Sequence, residues 1–167
     1  MLSTHPTLHL LCGKVASGKS TLSAKLGKQS RTVIIAEDQW LAKLYSDEMA
    51  SVSDYVTYSA RLRTIMKEHI VSLLNAGTSV VLDFQANTVD SRKWMLEIIQ
   101  TTNVLHQLHY LNVSDEVCKT RLRERNLTNN HPFKVTPEQF DLITAHFVAP
   151  TDAEGFEIVL HNTNNQN

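Results

Sequence analysis

Short apolar runs alternate along the chain with longer segments whose apolar residues recur every three or four positions. Leu8-His9-Leu10-Leu11-Cys12 is the first run, and it predicts a strand. Thr21 to Lys28 has helical apolar spacing and no Pro. Arg31-Thr32-Val33-Ile34-Ile35-Ala36 is β-branched and apolar and predicts a second strand. Glu37-Asp38-Gln39 opens a helix that runs through Tyr45. Ser51-Val52-Ser53-Asp54 reads as a polar break. Tyr55 to Asn75 reads as one long helix, with Leu62, Ile65, Met66, His69, Ile70, Leu73 and Leu74 at spacings of three and four. Ala76-Gly77 ends it, because Gly suits the position past a helix C-terminus. Thr78 to Phe84 predicts a buried strand carrying an acid near its tip. Asp90 to Gln100 is helical, with Trp94, Ile98 and Ile99 as its apolar positions. Leu105 to Val113 predicts another strand. Ser114 caps a helix from Asp115 to Asn126. Leu127 to Val135 reads as a polar loop. Thr136-Pro137-Glu138-Gln139 is a helix start: Thr caps, Pro comes first and Gln falls third. That helix runs to about Phe147 and stops before Pro150. Phe156 to His161 predicts the last strand.

Strands and helices thus alternate over one α/β domain at 1–162. The pattern predicts a mostly parallel five-stranded sheet with helices on both faces. Ligands of such sheets bind at the carboxyl ends of the strands. Gly13 to Ser20, Asp38, Asp83 and the Leu127 loop are expected to meet there. The polar residues at 163–167 are expected to form a flexible tail.

One motif defines the chemistry. Gly13-Lys14-Val15-Ala16-Ser17-Gly18-Lys19-Ser20, followed by Thr21, has the form Gly, four residues, Gly-Lys-Ser. It lies between a predicted strand and a predicted helix, the context that makes it a phosphate-binding loop. Gly13 and Gly18 are expected to adopt conformations closed to residues with a β-carbon. Backbone N–H groups and the helix N-terminus then face a polyphosphate. Lys19 supplies a mobile positive charge to the β- and γ-phosphates, and Ser20 a hydroxyl to Mg²⁺.

Charge changes the picture by exclusion. The chain has 167 residues, with 16 Lys and Arg against 17 Asp and Glu. That balance argues against a general nucleic-acid binder and leaves nucleic acid only as an end substrate. Cys12 and Cys118 have neither metal-like nor redox-like spacing, and both are expected to be reduced thiols in the cytoplasm. The N-terminus lacks the charged and apolar segments of a signal peptide, and no apolar run is long enough to span a membrane. Eight histidines are present, but none forms a helical ligand pair with an acid, so no zinc site is expected. His131 reads as a solvated loop residue.

The chain resembles small single-domain P-loop kinases. They belong to the AAA-like ATP-binding family that contains polynucleotide 5′-hydroxyl kinases, zeta toxins and chloramphenicol phosphotransferases. The resemblance rests on Gly13 to Thr21, on Ile34 to Trp40 with Asp38, on Val80 to Asn87 with Asp83, on Arg121 to Asn126 with the loop and helix after it, and on Phe147 to Gly155. It implies a three-layer P-loop NTPase fold with a short lid at about 121–136, and ATP with Mg²⁺ as ligands. Asp38 then faces the acceptor hydroxyl and takes its proton; its plainer role is to cap the helix at Gln39. Glu37 is the weaker candidate. Ala36 stands where related kinases carry an additional acid. Asp83 either orients magnesium or contacts the acceptor, and Gln85 and Asn87 either bind substrate or make a turn. Arg121 and Arg125 share one helix face and suit a lid that stabilises transferred charge. Solvated pairs with Glu116 or Glu124 are the plainer alternative, and one arginine stacking on adenine is another. The resulting reading is an ATP-dependent kinase acting on a hydroxyl of a small molecule, nucleotide sugar or nucleic-acid end. A partner-regulated nucleotide switch and a zeta-type toxin kinase are its alternatives. Oligomeric state is open.

Overall fold

In the computed structural model the described residues are 5–128 and 134–162. The elements follow in order: β1 (Thr7–Cys12), α1 (Lys19–Leu26), β2 (Thr32–Ala36), α2 (Glu37–Tyr45), α3 (Val52–Asn75) and β3 (Ser79–Gln85). Then come α4 (Val89–Thr102), β4 (Leu105–Asn112), α5 (Asp115–Thr128), α6 (Pro137–Thr144), a short 3₁₀ turn at Asp152–Glu154, and β5 (Ile158–Asn162). The sheet order is β2-β3-β1-β4-β5. Every pairing in it is parallel. The chain crosses one way from β1 to β2 and the other way from β3 to β4, so the strand order reverses beside β1. The carboxyl end of β1 therefore opens into the crevice where such sheets hold ligands.

Alternation along the buried strands sorts their side chains to two faces. Leu8, Leu10, Cys12, Val80 and Leu82 pack with Leu62, Met66, Ile70 and Leu74 of α3 and with Met95 and Ile98 of α4. Leu11 and Val81 face the other way, against Leu26 of α1. Farther along that second face, Leu111 and Val113 meet Cys118 and Leu122 of α5 and Phe140 of α6. Both cysteines are free and buried.

Three differences from the expected elements have local causes. The long helix begins at Val52 because Ser51 and Asp54 form a capping box: Asp54 N–H donates to Ser51 Oγ at 3.1 Å and Ser51 N–H to Asp54 Oδ2 at 2.9 Å. The expected polar break is that helix's own cap. α6 ends at Thr144, although its start at Thr136, Pro137 and Gln139 is as expected. β5 begins two residues later than the apolar pattern, since Phe156 is buried ahead of the first ladder pair at Ile158. His131, the middle of the expected lid and the 163–167 tail lie outside the described residues.

An imidazole chain crosses the α1/α5 face of the sheet. His9 Nδ1 lies 3.1 Å from His109 Nε2, and His109 Nδ1 lies 3.0 Å from His161 Nε2. The expected opposition of His106 and His109 holds, because His106 instead accepts from the Glu157 N–H at 3.2 Å. Burial, with His9 and His161 as neighbours, depresses the His109 pKa from 6.5 to about 4, and burial also lowers that of His9.

A histidine whose folded pKa is depressed takes up protons more readily when unfolded. Its contribution to stability is therefore complete above about pH 6.5 and is lost as pH falls toward 4. For His109 this amounts to about 2 kcal/mol between pH 7.5 and 5. Urea unfolding at both pH values should show that loss in the native chain. His109→Gln should flatten the dependence; an unchanged slope would mean that the imidazole chain does not control acid stability.

Candidate functional site

The loop after β1 is built around close backbone approach. A β-carbon on Gly13 would lie 2.4 Å from Ser17 Oγ and 3.3 Å from the Leu111 carbonyl oxygen. Gly13 is needed for space, and its φ is not in the left-handed region, contrary to the expectation from its spacing. Gly18 does adopt that region, at φ 106°, and Ala16 joins it at 61°. These two turns aim the chain into α1. Gly18 is the N-cap of α1 and offers no capping side chain, so the first N–H groups of the helix face the crevice unfilled by protein.

Asn87 clamps the loop from the neighbouring strand. Its Oδ1 accepts from Gly13 N–H at 2.9 Å, and its Nδ2 donates to Gly13 O at 2.8 Å. Its own carbonyl accepts from Val148 N–H at 2.9 Å. Asn87 is thus a structural clasp, its amide engaged by Gly13. Arg92 braces the same region. It is fully buried, holds Glu154 at 2.6 and 3.0 Å, and donates to the Ala86 and Val148 carbonyls. Neither role was visible from spacing, because each depends on which loops the sheet brings together.

The loop cations are held in place. Lys19 Nζ donates to the carbonyls of Gly13 at 2.5 Å and Lys14 at 2.8 Å. Burial lowers its pKa to about 8, while Asp83 and then Asp38 act to raise it. Lys14 reaches out to Asp115 at 2.5 Å and lies over the Phe147 ring. Arg121 donates to the Ser17 carbonyl at 3.2 Å. It therefore ties α5 to the loop, and no pair with Glu116 or Glu124 occurs among the described residues. Arg123 is exposed and Arg125 is half-buried.

Acidic residues gather opposite. Asp83 sits near the end of β3, and burial raises its pKa against the opposing effect of Lys19. Asp38 lies in the first turn of α2, whose N-cap is Ala36. It is not a helix cap, because the helix starts one residue before it. Arg125 is depressed by burial and counteracted by Asp38, which places the α5 guanidinium within the field of that carboxylate. Glu37 is buried. It accepts from Ser59 Oγ and, at 3.3 Å, from Arg63 Nε. Sequence reasoning undervalued it: its pairing requires α3, twenty residues onward, to lie against α2.

Among the described residues three buried side-chain polar atoms have no protein partner: Thr144 Oγ1 at the end of α6, Ser17 Oγ in the loop and Arg125 Nε; the last two border the loop crevice. Together with the open helix N-terminus and Lys19, they fit a polyphosphate. Ser20 is exposed at the start of α1. Ser20 and Asp83 offer the hard oxygen donors that Mg²⁺ accepts alongside phosphate and water. No cluster of three or more His, Cys, Asp or Glu suited to a metal occurs among the described residues. No described helix is long and apolar enough to cross a membrane.

The chain belongs to the AAA domain family, which matches residues 8–150. Its fold is shared with P-loop kinases. A protein from Chloroflexus aurantiacus that carries a provisional kinase name superposes with a TM-score of 0.74 at 18% identity, over 96% of this chain and 87% of that one. Kti12 of Chaetomium thermophilum, solved with ADP-AlF3, gives 0.70 at 14% identity, over 93% and 89%. The APS kinase CysC of Mycobacterium tuberculosis, solved with AMPPNP and APS, gives 0.66 at 12% identity, over 97% and 91%. No curated protein is similar enough to this chain to count as a match.

Asn87→Ala should remove both hydrogen bonds to Gly13 and cost about 1–3 kcal/mol of stability. The loosened loop should also bind AMPPNP about tenfold more weakly, equivalent to about 1.4 kcal/mol. Thermal melting and calorimetric titration of the same variant check both effects. Unchanged affinity would show that the loop keeps its shape without the clasp.

Proposed function

We propose that the chain is an ATP-dependent phosphotransferase that moves the γ-phosphate of ATP to a hydroxyl acceptor, working in the cytoplasm. The observation that carries this reading is the placement of Asp38 within the field of both Lys19 and Arg125. A loop that only holds nucleotide as a switch needs no acceptor carboxylate there. The neighbours solved with AMPPNP and ADP-AlF3 support a nucleotide in the loop.

In this reading the backbone of Gly13 to Thr21 cradles the phosphates. Lys19 exchanges its loop carbonyls for phosphate oxygens. Ser20 and Asp83 would hold Mg²⁺, which neutralises phosphate charge when bound. Arg125 meets charge that builds on the transferred group, and Arg121 keeps α5 against the loop. Asp38 orients the acceptor hydroxyl and accepts its proton as the new phosphorus–oxygen bond forms. The acceptor is a small molecule, a nucleotide sugar or a nucleic-acid end; a screen with labelled ATP over nucleosides, sugars, oligonucleotide ends and antibiotics identifies it.

Lys19→Ala should leave the fold intact and weaken both triphosphate binding and transfer. Arg125→Ala should lower turnover far more than ATP affinity, because its contribution appears in the transition state. Parallel large losses of both would move Arg125 to the ground-state nucleotide.

Asp38→Asn should keep nucleotide affinity and melting temperature while transfer falls roughly 10²–10⁴-fold, the usual range for a positioned acid–base group. Undiminished transfer would remove Asp38 from the reaction. Absence of any acceptor, with hydrolysis unaffected, would favour the nucleotide switch.

A further inference from the structure

A tyrosine hydroxyl stands between the two acids that open α2. Tyr55 OH lies 3.2 Å from Asp38 Oδ1 and 3.4 Å from Glu37 Oε2. It has one proton to donate, and the shorter approach is to Asp38. Glu37 is anchored independently: its other oxygen takes the Ser59 hydroxyl and the Arg63 Nε–H. Arg63 is itself held over the Phe84 and Trp94 rings, 5.9 and 5.4 Å from their centroids. A buried carboxylate is costly unless paired. Here its partners fix one side of the Tyr55 hydroxyl, and Asp38 receives the other.

We propose that Tyr55 is a positioning residue. Backed by Glu37, it donates to Asp38 Oδ1 and turns Oδ2 toward the acceptor. The inference rests on the reading of Asp38 as the acceptor's carboxylate for its catalytic meaning, but the hydrogen bond can be tested without an acceptor. A donor to the ionised form of a carboxylate favours that form, so deleting the donor should raise its affinity for a proton. The groups that face Asp38 are Glu37 on α2, Tyr55 on α3, Lys19 on α1, Asp83 on β3 and Arg125 on α5. Among the described residues, only Tyr55 donates a hydrogen bond to it.

Two substitutions at position 55 should push the Asp38 titration in opposite directions. Tyr55→Phe keeps the ring and deletes the donor. 3-Fluorotyrosine at the same position keeps the hydroxyl and makes it a stronger donor. The Asp38 carboxyl is followed by NMR on protein labelled with ¹³C at aspartate carboxyls, with Asp38→Asn used to assign the signal.

The expected result is a rise in Asp38 proton affinity of roughly 3- to 10-fold in Tyr55→Phe and a fall with fluorotyrosine. AMPPNP affinity should hold in both, since Tyr55 acts on the acceptor side. A residue that merely packs α3 against α2 would change melting temperature and leave the titration where it was. That outcome, equal shifts of one sign, or loss of AMPPNP binding in both variants would overturn the proposal. If Tyr55→Phe fails to fold, the fluorotyrosine shift decides alone. Should Asp38→Asn transfer phosphate at full rate while the shifts occur, the hydrogen bond stands and the kinase reading of Asp38 falls instead.

Discussion

Everything at this site depends on the sheet running one way. Parallel strands need a crossover for every return, and the crossovers cover both faces with helices. Apolar side chains then fill the strand interiors, as Leu8, Leu10, Val80 and Leu82 do. Polar groups are left to the strand ends. Because all five strands share a direction, those ends share an edge. The loop after β1, Asp83 near the end of β3 and the acids after β2 meet there, although more than sixty residues separate the first from the last.

Charge is concentrated where burial makes it consequential. Lys19, Asp83, Glu37 and Arg92 are all withdrawn from water to some degree; Lys19, Glu37 and Arg92 have hydrogen-bonding partners, and Asp83 lies in the field of Lys19. Arg92 pairs bidentately with Glu154 and also takes two carbonyls, so its full burial is compensated. Such pairs add little net stability but exclude other arrangements of the loops they join. Asn87 does the same without charge. The result is a glycine loop held by Asn87 and Arg121.

Much of this was legible in the chain. Period and β-branching located all five strands, and the loop motif located the candidate site, because both are local patterns. Thr136 and Gln139 announced their helix for the same reason. What stayed hidden depends on register between distant segments. His9, His109 and His161 form a chain only because neighbouring strands align two residues out of step. Glu37 looked secondary to Asp38 because Ser59, Arg63 and Tyr55 become its partners only once α3 packs on α2. The role of Asp38 as a helix cap was a fair local inference that failed by two residues: Ala36, which ends the strand, is already the N-cap.

The grip of Lys19 on its own loop has a thermodynamic meaning. Its ammonium satisfies two backbone carbonyls, so the empty cradle is already internally hydrogen-bonded. In the proposed role, loading a triphosphate would be an exchange of ligands around one nitrogen, and affinity would reflect the difference between carbonyl and phosphate oxygens. With its pKa drawn down to about 8, that nitrogen is partly neutral in mildly alkaline solution. In that role an arriving polyanion would favour the charged form, so loading would draw a proton onto Lys19.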